Sequence, residues 1–141
     1  MTAALADSKR ASIDRLQALS AKLPQLQLEN QHLFAACMYA RVLQQPADSL
    51  VVGKAHKSEH FFIVCRGAVL VSHGDGPAYR AEAGTVFVSQ PGAKRAISAE
   101  SDAVYMTVHR TDKTDLNEIE AELIEPDPLA LFDAFNMPRL A

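Results

Sequence analysis

Between residues 37 and 111 apolar and polar side chains alternate with a period of two, and turn-forming residues interrupt the pattern about every ten positions. A period of two sends successive side chains to opposite faces of a strand, so this stretch can fold only as sheet with a covered face. The segments that read as strands are Cys37–Leu43, Val51–Gly53, His60–Arg66, Ala68–Val71, Ala78–Ala81, Thr85–Ser89, Arg95–Ser98 and Ala103–His109. Turn signals separate them at Gln45-Pro46-Ala47-Asp48, Lys57-Ser58, Gly74-Asp75-Gly76-Pro77, Ala83-Gly84, Pro91-Gly92 and Ser101-Asp102. Such short connections leave no room for the crossover helices that parallel strands need. The spacing therefore predicts an antiparallel sandwich or barrel.

The ends of the chain follow a different period. Ile13, Leu16, Leu19 and Leu23 recur at helical spacing, Asp7 or Ser8 can cap that helix, and Pro24 stops it. Lys9, Arg10, Asp14, Arg15 and Gln17 fall on its other face. After Thr111, Asp115 is a cap followed by Leu116, Ile119 and Leu123 on one face, with Glu118, Glu120 and Glu122 off it. Pro126 and Pro128 then break the chain, and Leu129, Leu131, Phe132 and Phe135 form a last apolar cluster. The resulting division is a helical extension over 1–35, a β-barrel over 36–111 and a helical tail over 112–141. Apolar surface at both ends exceeds what a small barrel needs. Ile13, Leu16, Leu19, Leu23, Leu131, Phe132 and Phe135 are accordingly expected at contacts between copies of the chain, in a homo-oligomer. The plainer alternative is that they cap their own barrel.

Composition removes several function classes. At 141 residues with 48% apolar and 22% charged, the chain fits one globular domain. A net charge of −3 and a pI near 5.9 speak against nucleic acid or an anionic membrane as partner. Two cysteines, Cys37 and Cys65, with no CxxC pair, exclude a disulfide scaffold and a cysteine zinc site; their apolar strand contexts predict buried, inert thiols. No apolar run approaches the roughly 18 residues of a membrane span, and the amino-terminal stretch lacks a basic-then-apolar signal pattern.

The residues with chemistry are few. His56 and His60 flank a bend, and His109 ends a strand; together three imidazoles would suit zinc or iron. Lys54 and Glu59 are candidates for pairing with Lys57 or Arg95. Lys94-Arg95 reads either as an anion site at the barrel mouth or as a solvated turn. Gly74-Asp75-Gly76 is a hairpin turn, and Phe62, Val64 and Tyr105 are inward residues that would line any pocket.

The stretch Gly53-Lys-Ala-His56-Lys-Ser-Glu-His60-Phe-Phe-Ile-Val-Cys-Arg-Gly67, and again Gly84-Thr-Val-Phe-Val-Ser-Gln-Pro91-Gly92-Ala-Lys-Arg95, resembles the two motifs of the cupin superfamily, the RmlC-like jelly roll. The resemblance implies a mostly β fold, a small antiparallel double-stranded β-helix with amino- and carboxyl-terminal helical extensions. Gly67, Gly84, Pro91 and Gly92 match the family's structural positions. The ligand positions match less well: Lys54 stands for the first histidine, His56 is the second, His60 replaces the glutamate, and Arg95 stands for the second-motif histidine. Strings over Val52–His60, Val88–Ala96 and Thr107–Glu120 are more closely similar to short cupin-like proteins encoded by tailed bacteriophages and prophages. That likeness implies a non-enzymatic virion structural or accessory protein (head decoration, head fibre or tail-associated subunit), made in the host bacterial cytoplasm. Its partners would be itself and other virion proteins, with no nucleic acid, no membrane and no cofactor. The alternatives are a metal-dependent cupin enzyme on a small polar substrate, with a divalent metal on His56, His60 and His109, and a small-molecule-binding sensor module.

Overall fold

The computed structural model describes residues 3–73, 77–135, 137 and 139, with side chains from residue 10 onward. The elements are α1 (Ala3–Ser20), β1 (Glu29–Ala35), β2 (Met38–Gln45), β3 (Leu50–Val52), β4 (His60–Arg66), β5 (Ala68–Ser72), β6 (Tyr79–Glu82), β7 (Val86–Ser89), β8 (Ala96–Ala99), β9 (Ala103–Arg110) and α2 (Leu116–Leu123). All strand pairs are antiparallel, in a five-stranded sheet β1-β2-β9-β4-β7 facing a four-stranded sheet β3-β8-β5-β6. Strands distant in sequence are neighbours in both sheets, as in a jelly roll.

Alternation places the core. On β4 the even residues His60, Phe62 and Val64 are buried, while Phe61 and Cys65 are exposed. On β9 Ala103, Tyr105 and His109 turn inward. Phe62, Val64, Ala103 and Tyr105 pack against Val69, Val71, Ala81, Ile97 and Ala99 from the opposite sheet. Gly67, between β4 and β5, has φ 75°, and a Cβ there would collide with the Asp102 carbonyl, so glycine is required on both counts.

Several expectations are corrected. β1 lies within the stretch assigned to a helical extension; Glu29–Ala35 is a polar-rich edge strand paired only with β2, so its alternation is faint. Helix α1 starts at Ala3 and ends at Ser20, so Asp7 and Ser8 sit inside it rather than at its cap. Cys37 and Cys65 are both exposed, the first in the β1–β2 turn at φ 57°, the second at a bulge in the pairing of β4 with β9. The 74–76 hairpin lies outside the described residues.

The extensions fold onto their own barrel. Ile13 is buried against Val52 and Ala96, with Leu16 beside it. Asp115 caps α2, accepting from the Glu118 amide at 3.0 Å, and Ile119 and Leu123 pack on Tyr39. Phe132 packs against the main core, and Leu131 lines the cavity at the barrel mouth. Ion pairs join the layers: Arg10 to Glu125 at 2.9 Å, and Lys94 to Asp14 at 2.6 Å and Asp127 at 2.9 Å. Burial raises the Asp127 carboxyl, but hydrogen bonds from Lys94, Gln17 and the Leu129 amide outweigh it and leave its pKa below the ordinary value. Of the residues expected at contacts between copies, Ile13, Leu16, Leu131 and Phe132 are thus engaged within the chain. Leu19, Leu23 and Phe135 stay exposed.

Candidate metal centre

The three histidines meet at the mouth. His60 opens β4, and His109 lies on β9 one step beyond the Phe61–Val108 pair. His56 comes from the preceding loop, pinned by its bridge to Ile124 and by the Gly92 amide, which donates to its carbonyl at 2.8 Å. Ring centroids lie 4.2 Å (His56 to His60), 4.5 Å (His60 to His109) and 5.0 Å (His56 to His109) apart. One nitrogen from each falls within 4.8 Å of the others. A tetrahedral cation about 2.1 Å from each nitrogen sets them about 3.4 Å apart, so closure takes shifts of up to about 1.4 Å, which ring rotations supply.

The nitrogens are set up for such a role. His60 Nδ1 lies 3.2 Å from the Ser58 carbonyl, which accepts only from N–H, so the proton sits on Nδ1 and Nε2 carries a lone pair. His109 Nε2 lies 2.8 Å from Thr107 Oγ1. The remaining nitrogens, His60 Nε2 and His109 Nδ1, are buried with no hydrogen-bond partner among the described residues. A buried imidazole held by one nitrogen and orphaned at the other is the arrangement that metal-ligating histidines show. Protonation is disfavoured throughout. Desolvation first, then the charges of neighbouring histidines and Arg41, hold His109 down to about 3 and lower His56 further still. Desolvation likewise lowers His60, against a smaller opposing effect of its bond to Ser58. Neutral imidazole is the ligand form. The donor set, three histidines with no carboxylate, fits zinc or iron better than calcium or magnesium.

Beside the triad lies a cavity of about 110 Å³, lined among others by Arg41, Lys54, His56, His60, Phe62, Arg95 and Tyr105. Of the inward residues expected there, Phe62 and Tyr105 line it, and Val64 belongs to the core below. The reading of Lys94-Arg95 as a solvated turn does not hold, because both side chains are buried. Lys94 is taken up by Asp14 and Asp127. Arg95 enters the barrel over the rings of Phe62 (5.6 Å) and Phe87 (5.2 Å), and donates to Ser89 Oγ. Lys54 pairs with Glu120 of α2 rather than across the sheet, Lys57 donates to the Ala121 carbonyl at 2.9 Å, and Glu59 accepts from Gln90 at 3.4 Å. Arg41 was missed as a lining residue, although it shares the inward parity of Tyr39 and Leu43 on β2.

No protein-family profile matches the chain, and no curated protein sequence matches it. Solved structures do match in fold. A double-stranded β-helix domain protein from Klebsiella pneumoniae superposes with a TM-score of 0.54 at 11% identity, over 70% of this chain and 90% of that one. A cupin superfamily protein from Desulfitobacterium hafniense gives 0.53 at 11%, over 69% and 88%. The Cnp3 cupin domain of Schizosaccharomyces pombe gives 0.51 at 20%, over 71% and 74%. The fold is therefore the mostly β, double-stranded β-helix of cupins, as the motif glycines implied.

Proposed function

We propose that this chain is a metal-binding cupin domain that holds a divalent transition metal on His56, His60 and His109 and takes a small molecule in the adjoining cavity. The observation that carries this reading is the convergence of three imidazoles, His60 and His109 buried and His56 half-buried, with two nitrogens that have no hydrogen-bond partner among the described residues. Three protein ligands leave coordination positions open, and the bound ion would act there as a Lewis acid toward a ligand oxygen. The chain's own part is definite. Ser58 and Thr107 orient two of the rings, Arg41 and burial keep the imidazoles unprotonated, and Phe132 and Leu131 restrict access of water. The test is metal analysis of protein purified without added metal, then reloaded with zinc, iron or manganese. About one equivalent per chain is expected, and it is lost in His60→Ala and His109→Ala proteins whose circular dichroism is unchanged. A folded wild-type protein that retains none of the three metals ends this reading.

A second reading rests on a separate observation, the outer face of the five-stranded sheet. Its centre is apolar across all five strands, with Leu33, Val42, Val108, Phe61 and Val88 among its residues, and polar or charged residues stand only at the rim. From strand spacing and rise, the patch covers roughly 500 Å². Two such faces pressed together bury about 1,000 Å², the lower bound of a specific interface. The face offers no charge to select a different partner, so we propose that it pairs with a second copy of the chain. This supports the assembly role implied by the likeness to phage-encoded proteins, a virion component of head or tail. Light scattering is expected to give a dimer that Phe61→Glu dissociates, and mass spectrometry of purified particles to find the chain in many copies. A wild-type monomer at high concentration removes the pairing, and absence from particles removes the virion role.

A further inference from the structure

We propose that the cavity beside the histidines is an anion site, in which Arg95 receives the carboxylate of a small organic acid. The inference rests on the cavity assigned above and names its ligand class. Arg95 is 8% exposed and its Nε is buried with no hydrogen-bond partner. Among the described residues its guanidinium makes one hydrogen bond, to the neutral Ser89 hydroxyl, and no ion pair with a carboxylate. Its guanidinium lies against two phenyl rings rather than water. A buried cation without a counter-ion is costly, and a protein retains one where a ligand supplies the missing charge. Three carboxylates that pair with the neighbouring lysines are committed elsewhere: Glu120 to Lys54, and Asp14 and Asp127 to Lys94. Among the described residues, the cavity lining contains Arg41, Lys54 and Arg95 and no aspartate or glutamate. Lys54 is paired with Glu120, so the charge offered to a ligand is that of Arg95, and apolar walls, with Val51, Ile97, Leu131 and Phe132 among them, strengthen its pull by excluding water.

Shape narrows the class. A cavity of about 110 Å³ has room for an acid of a few carbons. The planar guanidinium matches a carboxylate with two parallel hydrogen bonds, and the aliphatic and aromatic walls suit a short hydrocarbon body. His56 and His60 line the same cavity, so a second oxygen of a 2-oxo acid would face the triad while its carboxylate rests on Arg95.

The test is calorimetric titration of the full chain with pyruvate, butyrate and inorganic phosphate, on metal-loaded protein and on protein stripped with EDTA. Saturable pyruvate binding is expected, weakened on the order of 30-fold or more by Arg95→Met and by Arg95→Lys, which keeps the charge but loses the fork. A thermal scan guards against misfolding: Arg95→Met is expected to melt no lower than wild type without ligand, since it removes an uncompensated buried charge. Pyruvate binding undiminished in Arg95→Met overturns the inference, as does saturation by phosphate with neither carboxylate bound. Carboxylate binding that survives in EDTA-stripped and His60→Ala protein upholds the anion site even if the metal reading fails. Metal loading without any carboxylate binding defeats the anion site alone.

Discussion

The two faces of the five-stranded sheet differ by one residue step and invert the usual rule. Outward positions carry Phe61 and Ile63 on β4 and Val104, Met106 and Val108 on β9. Inward positions at the mouth carry His60, Thr107, His109 and, on β2, Arg41, with the apolar Phe62, Tyr105 and Leu43 deeper in. Apolarity alone therefore does not say which face is covered. The inner face is held in place by the second sheet, α1 and the tail, and polar groups survive there because they bond one another or await a ligand. The outer face keeps its apolar residues in the open, which a lone soluble chain seldom does over so wide an area.

The sharpest test of this contrast sets neighbours against each other. Phe62→Ala is expected to cost about 3–5 kcal/mol in denaturant unfolding, because it empties a site at 2% exposure. Phe61→Ala, at 51% exposure, is expected to cost about 1 kcal/mol or less in dilute monomer. Equal costs would break the comparison. Next in size, His60→Ala or His109→Ala is expected to weaken metal binding by more than the roughly 100-fold that loss of an outer-shell partner brings, read by competition with a chromophoric chelator. On the other face, Phe61→Glu is expected to weaken self-association by about 2 kcal/mol, measured by sedimentation, with metal content unchanged.

A pH titration separates the faces by charge. The folded pKa values of His56, His60 and His109 all lie below the unfolded value near 6.5, so the unfolded chain binds protons first. Stability is thus fully present above pH 6.5 and falls as pH drops from there toward about 3, the folded value of His109. Each such imidazole adds up to about 1.4 kcal/mol per pH unit, and His56→Gln with His109→Gln is expected to flatten the slope between pH 6.5 and 5 in metal-free protein. A slope that both substitutions leave untouched would place its origin elsewhere. The smallest effect belongs to the cover of the inner face. Asp115→Ala removes the cap of α2 and is expected to cost about 1 kcal/mol, seen as a lower melting temperature.

Much of this was legible in the chain. The bounds of β4 follow from alternation between a bend and Gly67, and Asp115 announces α2 by its chemistry. β1 was not, because an edge strand paired on one side tolerates Glu29, Gln31 and other polar residues that blur the period. Lys94 and Arg95 misled for a different reason. Two cations after a proline-glycine turn read as solvated, yet Asp14 and Asp127 come from the two ends of the chain to neutralise Lys94 inside the fold. The candidate ligands His56, His60 and His109 could be named, but spacing by four along an extended strand separates residues by about 13 Å, so their meeting depended on the loop and on β9.

What the sequence by itself determined is parity: which residues of each strand share a face, and hence that His60 lies with Phe62 and apart from Phe61. Side-chain direction along a strand is a local property, set by the backbone every second residue. What only the tertiary structure decided is which face is covered and what meets there. That the histidine triad converges, that Arg95 lies buried without a carboxylate, and that the extensions close their own barrel all depend on contacts between segments far apart in the chain. Such contacts are fixed by packing and by the balance of buried charge, which no local pattern encodes.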